Sequence, residues 1–304
     1  MRYIRASGFH CRKLINFGTN MLKYSYFFCV FLFLSVGIAG AEPAILRFAP
    51  LPMENREVLY KQFEPMRIYL QEVTGHEILF EYSDSYQVLI DKFMQGAIDL
   101  AYIGPLPYVE LRKKYPDATP LLAFRETNGT AGYTCSIITI AENRPDLSNT
   151  EGLKVALTQP LSTCGYLAVN KLLKKHGSDL EKNHYRYLGH HDDVALAVVR
   201  SEYDIGGVKT AIAHKYEHLG LQILEETEVM PGFALVSNNT TVSPDLAEAI
   251  RNAFSSLQPA GKDKEMLAKW GKKISNGAVV TSDDQYDAIH RMLESNILPK
   301  KDHF

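Results

Sequence analysis

Cysteine, tryptophan, long apolar runs and surplus charge are all scarce in this chain, and each shortage excludes something. Four cysteines in 304 residues cannot hold together a small disulfide scaffold. A formal charge of −2 gives phosphate backbones no basic surface to meet, so nucleic acid is not an expected partner. No internal repeat or low-complexity stretch is present, which sets aside solenoids and disordered tracts. What remains is an ordinary globular composition, 46% hydrophobic and 22% charged, long enough for one large domain or two medium lobes.

The first 41 residues differ from the rest. They carry Arg2, Arg5, Arg12, Lys13 and Lys23 and no acid. An uncharged apolar stretch, Tyr26 to Ile38, follows and ends in Ala39-Gly40-Ala41. This run falls short of the roughly 20 residues that span a bilayer. Its basic flank and small-x-small ending are those of a secretory leader, with the cut expected before Glu42. Met21 is an alternative start. Cys29 lies inside the apolar run and does not resemble a lipid-attachment site. Taking five positive charges from a total of −2 leaves the exported chain at −7. Export leads to an oxidising compartment, where Cys135 and Cys164 remain. Their spacing does not decide between one disulfide and two buried thiols.

Along the mature chain, strands alternate with helices at intervals that predict parallel α/β architecture. Strands are expected at 45–50, 77–82, 99–103, 133–140, 154–157, 185–188, 204–207 and 233–236. Helices are expected at about 55–74, closed by Gly75, and at 86–95, 165–176 and 194–201. A further helix is capped by Ser243 with Pro244 at its first position. Two more helical segments, around 265–270 and 283–298, end the chain.

Three places could carry chemistry. The segment Gln159-Pro160-Leu161-Ser162-Thr163-Cys164-Gly165-Tyr166 joins a strand to a helix. Its hydroxyls lie beside leading amides that have no partner in the helix, which suits a tetrahedral oxyanion. The plainer reading is that Ser162 or Thr163 caps the helix. The loop is not G-x-S-x-G, so a Ser162 or Cys164 nucleophile has little support. His190-His191-Asp192-Asp193 lacks the spacing of a metal helix. Asp192 or Asp193 is expected to cap the next helix, and a histidine here could donate a hydrogen bond to an anion. Asp99-Leu100-Ala101-Tyr102-Ile103-Gly104-Pro105 ends a strand, where ligands sit in α/β sheets.

Taken together and in order, these segments resemble the phosphonate-, phosphite- and phosphate-binding components of ABC importers, a family of type II periplasmic binding proteins. The likeness runs from Leu46 to Pro299. It rests on L-R-F-A-P-L-P, S-Y-Q-V-L-I, I-D-L-A-Y-I-G-P-L-P, G-Y-T-C-S-I, P-L-S-T-C-G-Y, H-H-D-D-V-A-L-A-V and M-P-G-F. The resemblance implies two α/β lobes, each a mixed sheet flanked by helices, joined by short hinge strands. Lobe one would comprise 42–128 and 229–304, and lobe two 129–228. It implies an oxyanion held by Ser162, Thr163, Cys164 and Gly165, with Tyr86 and His191 completing the contacts. His190 is the alternative if the register shifts by one. Tyr102, Gly104, Tyr133 and Phe233 fall at the same expected site.

Several departures from the family pattern bear on the ligand. Cys164 replaces a serine and so loses a strong donor, more so if it is in a disulfide. Ala211 and Phe233 match positions where members that take aminoalkyl phosphonates carry carboxylates. A buried ammonium would lack a counter-charge there. Ile103 replaces a tyrosine of some members, so it would form an apolar wall with Phe233, and Tyr102 could turn away. The expected function is capture of an amine-free phosphorus oxyanion for an inner-membrane ABC permease. The protein would be a periplasmic monomer with no cofactor, metal or catalytic residue. A sensing role for a membrane kinase or chemoreceptor, and an exported hydrolase, are the alternatives.

Overall fold

Six residues, Ile45–Pro50, exposed at the first and buried throughout from Phe48, form β1 in the computed structural model, which describes residues 44–294, 298–299 and 301–303. The expected leader, its cut before Glu42 and the alternative start lie outside the described residues. α1 (Arg56–Thr74) follows, opened by Asn55, whose side chain accepts the Val58 N–H at 3.0 Å. Its buried Leu59, Phe63, Met66 and Leu70 keep one face on the core, and Gly75 ends it in the left-handed region at φ 67°. β2 (Glu77–Phe80), α2 (Tyr86–Met94) and β3 (Leu100–Ile103) come next. β1 pairs parallel with both β2 and β3. Asp99, 2% exposed, fixes this centre: its carboxylate accepts the Arg47 backbone N–H at 2.7 Å and both Nε and Nη2 of the Arg47 guanidinium.

α3 (Pro105–Lys114) and β4 (Ala118–Phe124) were not expected from the sequence. Seven consecutive residues of α3, Pro105 to Leu111, include six buried ones, so the segment shows no polar face by which to recognise a helix. β4 is nearly all buried and contains Pro120.

The chain then passes through β5 (Gly132–Tyr133) and builds a second sheet from β6 (Cys135–Ile140), β7 (Lys154–Leu157), β8 (His184–Tyr187), β9 (Ile205–Lys209) and β10 (Leu221–Glu226). Their order is β10-β6-β9-β7-β8, with β7 parallel to β8 and β9, and β6 antiparallel to β9 and β10. α4 (Ala168–Lys175), α5 (His191–Val199) and α6 (Thr210–Tyr216) pack on it. β11 (Met230–Pro231) pairs with β5 alone, and β12 (Ala234–Asn238) and β13 (Ala278–Val280) complete the first sheet in the order β13-β4-β12-β3-β1-β2. β12 runs antiparallel to β3 and β4. α7 (Pro244–Ser255), capped by Ser243 as expected, α8 (Lys264–Leu267) and α9 (Asp287–Glu294) finish the fold.

Both large sheets are therefore mixed, rather than parallel throughout. Both crossings between them pass through the β5–β11 pair. There a Cβ on Gly132 would lie 2.7 Å from the Met230 carbonyl oxygen, so the close approach requires glycine. The expected strand 133–140 is divided, because Tyr133 pairs with Met230 while Cys135 pairs with Lys209. The helix expected from Val194 begins three residues earlier, at His191.

Candidate ligand-binding site

The carboxyl ends of β1, β3 and β9, the loop after β7 and the first turn of α5 enclose a cavity of about 60 Å3. On a scale where one water needs about 10–15 Å3, this is room for roughly five heavy atoms.

The loop after β7 does not lead straight into a regular helix. Thr163–Leu167 form a π-type turn before α4, with Gly165 at ψ −123°, outside helical geometry. A Cβ on Gly165 would come within 2.9 Å of Thr158 Oγ1, so only glycine fits. Ser162, Thr163 and Cys164 all line the cavity. Ser162 occupies the cap position but its side chain makes no cap bond. The Thr163 hydroxyl accepts the Leu106 N–H from α3 at 3.1 Å. The capping expectation therefore fails for both, and the Ser162 hydroxyl is left at the cavity wall. Of the leading amides, Gly165 N–H bonds back to the Ser162 carbonyl at 3.1 Å; Thr163 and Cys164 supply the others.

Cys164 is bonded to Cys135, with Cα atoms 5.0 Å apart. This resolves the choice left open by spacing, against two free thiols. The bond removes Cys164 both as a thiol donor and as a nucleophile.

His191 lines the cavity and His190 does not. The Nδ1 of His191 accepts the Lys209 backbone N–H at 3.2 Å, which places the ring proton on Nε2. Burial, reinforced by the positive charges of Lys273 and Lys209, drives its pKa down to about 3. The imidazole is thus a neutral donor at physiological pH. Asp192 and Asp193 stand in the first turn of α5 rather than at its cap, a position held by His190. There they favour the positive end of the helix, and Asp192 pairs with Lys215 at 2.8 Å.

Tyr86, Tyr102 and Tyr133 are buried against the cavity, and burial pushes the pKa of each upward, so all three keep their protons. Tyr102 does not turn away. Its ring stacks on Phe233 with centroids 5.2 Å apart and planes 15° from parallel. Ile103 consequently faces the other side of the sheet, as strand alternation demands, and is absent from the cavity wall. The expected Ile103–Phe233 wall is instead a Tyr102–Phe233 wall. Gly104 makes room for it, since a Cβ there would sit 3.2 Å from the Phe233 ring.

Ala211 is exposed and does not line the cavity, whereas its neighbour Ile212 does. Two carboxylates do line the cavity, Glu54 and Asp192, but Lys273 Nζ lies 2.9 Å from Glu54 and Lys215 holds Asp192. Lys209, also lining, pairs with Glu126 at 2.6 Å and lies over the Tyr133 ring, 4.9 Å from its centroid. Sequence reasoning missed Lys209, Lys273 and Glu54. Nothing in their local sequence sets them apart from surface charges, and only the fold brings them together. Among the described residues no cluster of three or more His, Cys, Asp or Glu could hold a metal, and no helix is long and apolar enough to cross a membrane.

The profile of a family described as "ABC transporter, phosphonate, periplasmic substrate-binding protein" matches residues 48–286. The phosphate-import protein PhnD of Mycolicibacterium smegmatis is 24% identical over 280 residues, covering 84% of this chain and 87% of that one. Among solved structures, PhnD1 of Prochlorococcus marinus in complex with methylphosphonate superposes with a TM-score of 0.71 at 16% identity, over 83% of this chain and 98% of that one. A binding protein component of an ABC phosphonate transporter from Pseudomonas aeruginosa gives a TM-score of 0.68 at 20% identity, over 82% and 85%. The chain belongs to the family of periplasmic phosphonate-binding components of ABC importers, which are substrate-binding proteins rather than enzymes.

Proposed function

We propose that this protein captures a small phosphorus oxyanion without an amino group, such as phosphite, phosphate or a short alkyl phosphonate, and delivers it to an inner-membrane ABC permease. The observation that carries this reading is the convergence of uncharged donors on a cavity of about 60 Å3. The Ser162 hydroxyl, the Nε2–H of neutral His191 and the buried tyrosine hydroxyls can surround an anion without needing counter-charges of their own. An ammonium would instead meet Lys209 and Lys273, and carboxylates already engaged. In this reading the two sheets form two lobes, 42–128 with 229–304 and 129–228. The β5–β11 pair is their hinge, and the protein works in the periplasm as a monomer, after cleavage before Glu42.

Calorimetric titration of the chain from Glu42 onward with phosphite, phosphate, methylphosphonate, sulfate and 2-aminoethylphosphonate tests it. Micromolar or tighter binding, about −8 kcal/mol, is expected for at least one amine-free phosphorus oxyanion, with the aminoalkyl compound at least about tenfold weaker. Heat from none of the phosphorus compounds, or preference for the amine, overturns the reading.

A further inference from the structure

A second cavity, of about 430 Å3, lies beside the first, and Tyr86 lines both. Gln159 lines the larger one. Its carboxamide is engaged at both ends: Oε1 accepts the Tyr86 N–H at 3.3 Å, and Nε2 donates to the Pro52 carbonyl at 3.3 Å. Pro52 stands between Leu51 and Met53, both of which line the small cavity. The carboxamide therefore bridges two segments that bound the small cavity on this side.

Each part of this bridge has a local cause. The Tyr86 N–H is the first amide of α2 and has no partner inside its own helix. Pro160 confines the Gln159 backbone to extended conformations, and the Gln159 carbonyl accepts the Ser162 N–H at 2.9 Å. The residue that makes the bridge thus belongs to the same loop as the Ser162 hydroxyl.

We propose that Gln159 sets the size limit of the ligand: its carboxamide closes the small cavity against the larger one, so that the anion is accepted with at most a short substituent. Without the carboxamide, a longer apolar substituent can pass between Pro52 and Tyr86 into the second cavity, where Pro160, Leu161, Leu293 and Leu298 form the apolar part of a wall that also carries Glu110, Lys113 and Lys114. The same two hydrogen bonds join the loop to β1's end and to α2, so they also hold a bound small ligand in place. Gln159 acts through Tyr86 and Pro52 and is a positioning residue.

The inference rests on the oxyanion reading, and the test separates the two. Wild type, Gln159→Ala and Gln159→Glu are titrated with methylphosphonate and with n-hexylphosphonate, and association and dissociation rates are measured for the first. Glutamate keeps an acceptor for the Tyr86 N–H but presents no donor to the Pro52 carbonyl. In Gln159→Ala the preference for the methyl compound is expected to fall by about tenfold, the combined worth of two modest hydrogen bonds. Methylphosphonate is expected to leave faster at an unchanged association rate, with Gln159→Glu intermediate. An unchanged preference in both variants, or equal weakening of both ligands, overturns the proposal. A wild type that binds phosphite or phosphate but neither phosphonate overturns the proposal, and one that binds none of the four overturns the oxyanion reading itself. The preference is a ratio of affinities within one variant, so it does not depend on how much of that variant is folded.

Discussion

The two sheets bring opposite chemistry to one cavity. From the five-stranded side come the Ser162 hydroxyl, the turn at Thr163 and Cys164, and the His191 imidazole. From the six-stranded side come mainly apolar groups, the rings of Tyr102 and Phe233 with Leu51 and Met53, beside Tyr86 and the paired Glu54 and Lys273. The polar side is held by directional restraints: a disulfide, a backbone bond to His191 Nδ1 and a glycine that nothing larger can replace. On the aromatic side the rings are held mainly by packing, ring on ring. Hydrogen bonds and an ion pair restrain the segments around them, from Gln159 to Pro52 and Tyr86 and between Lys273 and Glu54. The contrast follows from what each side must do. A hydrogen bond weakens steeply with misalignment, whereas apolar contact is non-directional and tolerates small shifts.

Cutting the covalent restraint should have the largest effect. Replacing both Cys135 and Cys164 by alanine releases a loop closed over a sequence separation of 29 residues, with an expected cost of about 3–4 kcal/mol in chemical denaturation. Ligand affinity should fall with it. If affinity holds while stability drops, the polar side owes its geometry to something other than the disulfide.

Next comes acid. The ordinary imidazole pKa of 6.5 is lowered in His191 to about 3, chiefly by burial. Between those values the unfolded chain takes up a proton that the folded one refuses. Stability is therefore greatest above about pH 6.5 and declines as pH falls towards 3, by at most about 1.4 kcal/mol per pH unit. Denaturation midpoints measured from pH 7.5 to 4.5 should show this slope, and His191→Gln should flatten it. An identical slope in the variant would place the effect elsewhere.

The smallest change probes the aromatic side. Gly104→Ala puts a methyl 3.2 Å from the Phe233 ring, and a cost of about 1 kcal/mol is expected from overpacking. Because packing adapts, affinity should shift less than stability in the same calorimetric and denaturation assays. A loss of affinity larger than the loss of stability would mean that this wall, too, is held to tight tolerances.

The polar side was the more legible of the two in the sequence. Ser162 to Gly165 stand between a strand and a helix signal; on the other side purely local chemistry marked helix ends, at Gly75 and Ser243-Pro244-Asp245, but not the cavity wall. α3 and β4 carry no local signature because burial covers β4 and the first seven residues of α3 almost entirely, which erases the polar face that identifies a helix and the alternation that identifies a strand. The orientation of Tyr102 depended on the register of β3 against β12, where Tyr102 faces Leu235. Lys209 and Lys273 lie 64 positions apart and resemble any surface lysine until the fold brings both to the cavity.

The bond between Cys135 and Cys164 also gives the loop that carries Ser162 a restraint that depends on the compartment. In a reducing cytosol the two thiols stay apart, and the loop that carries Ser162 has only its weaker restraints. In the oxidising periplasm the bond adds to that loop a covalent restraint that its hydrogen bonds do not supply.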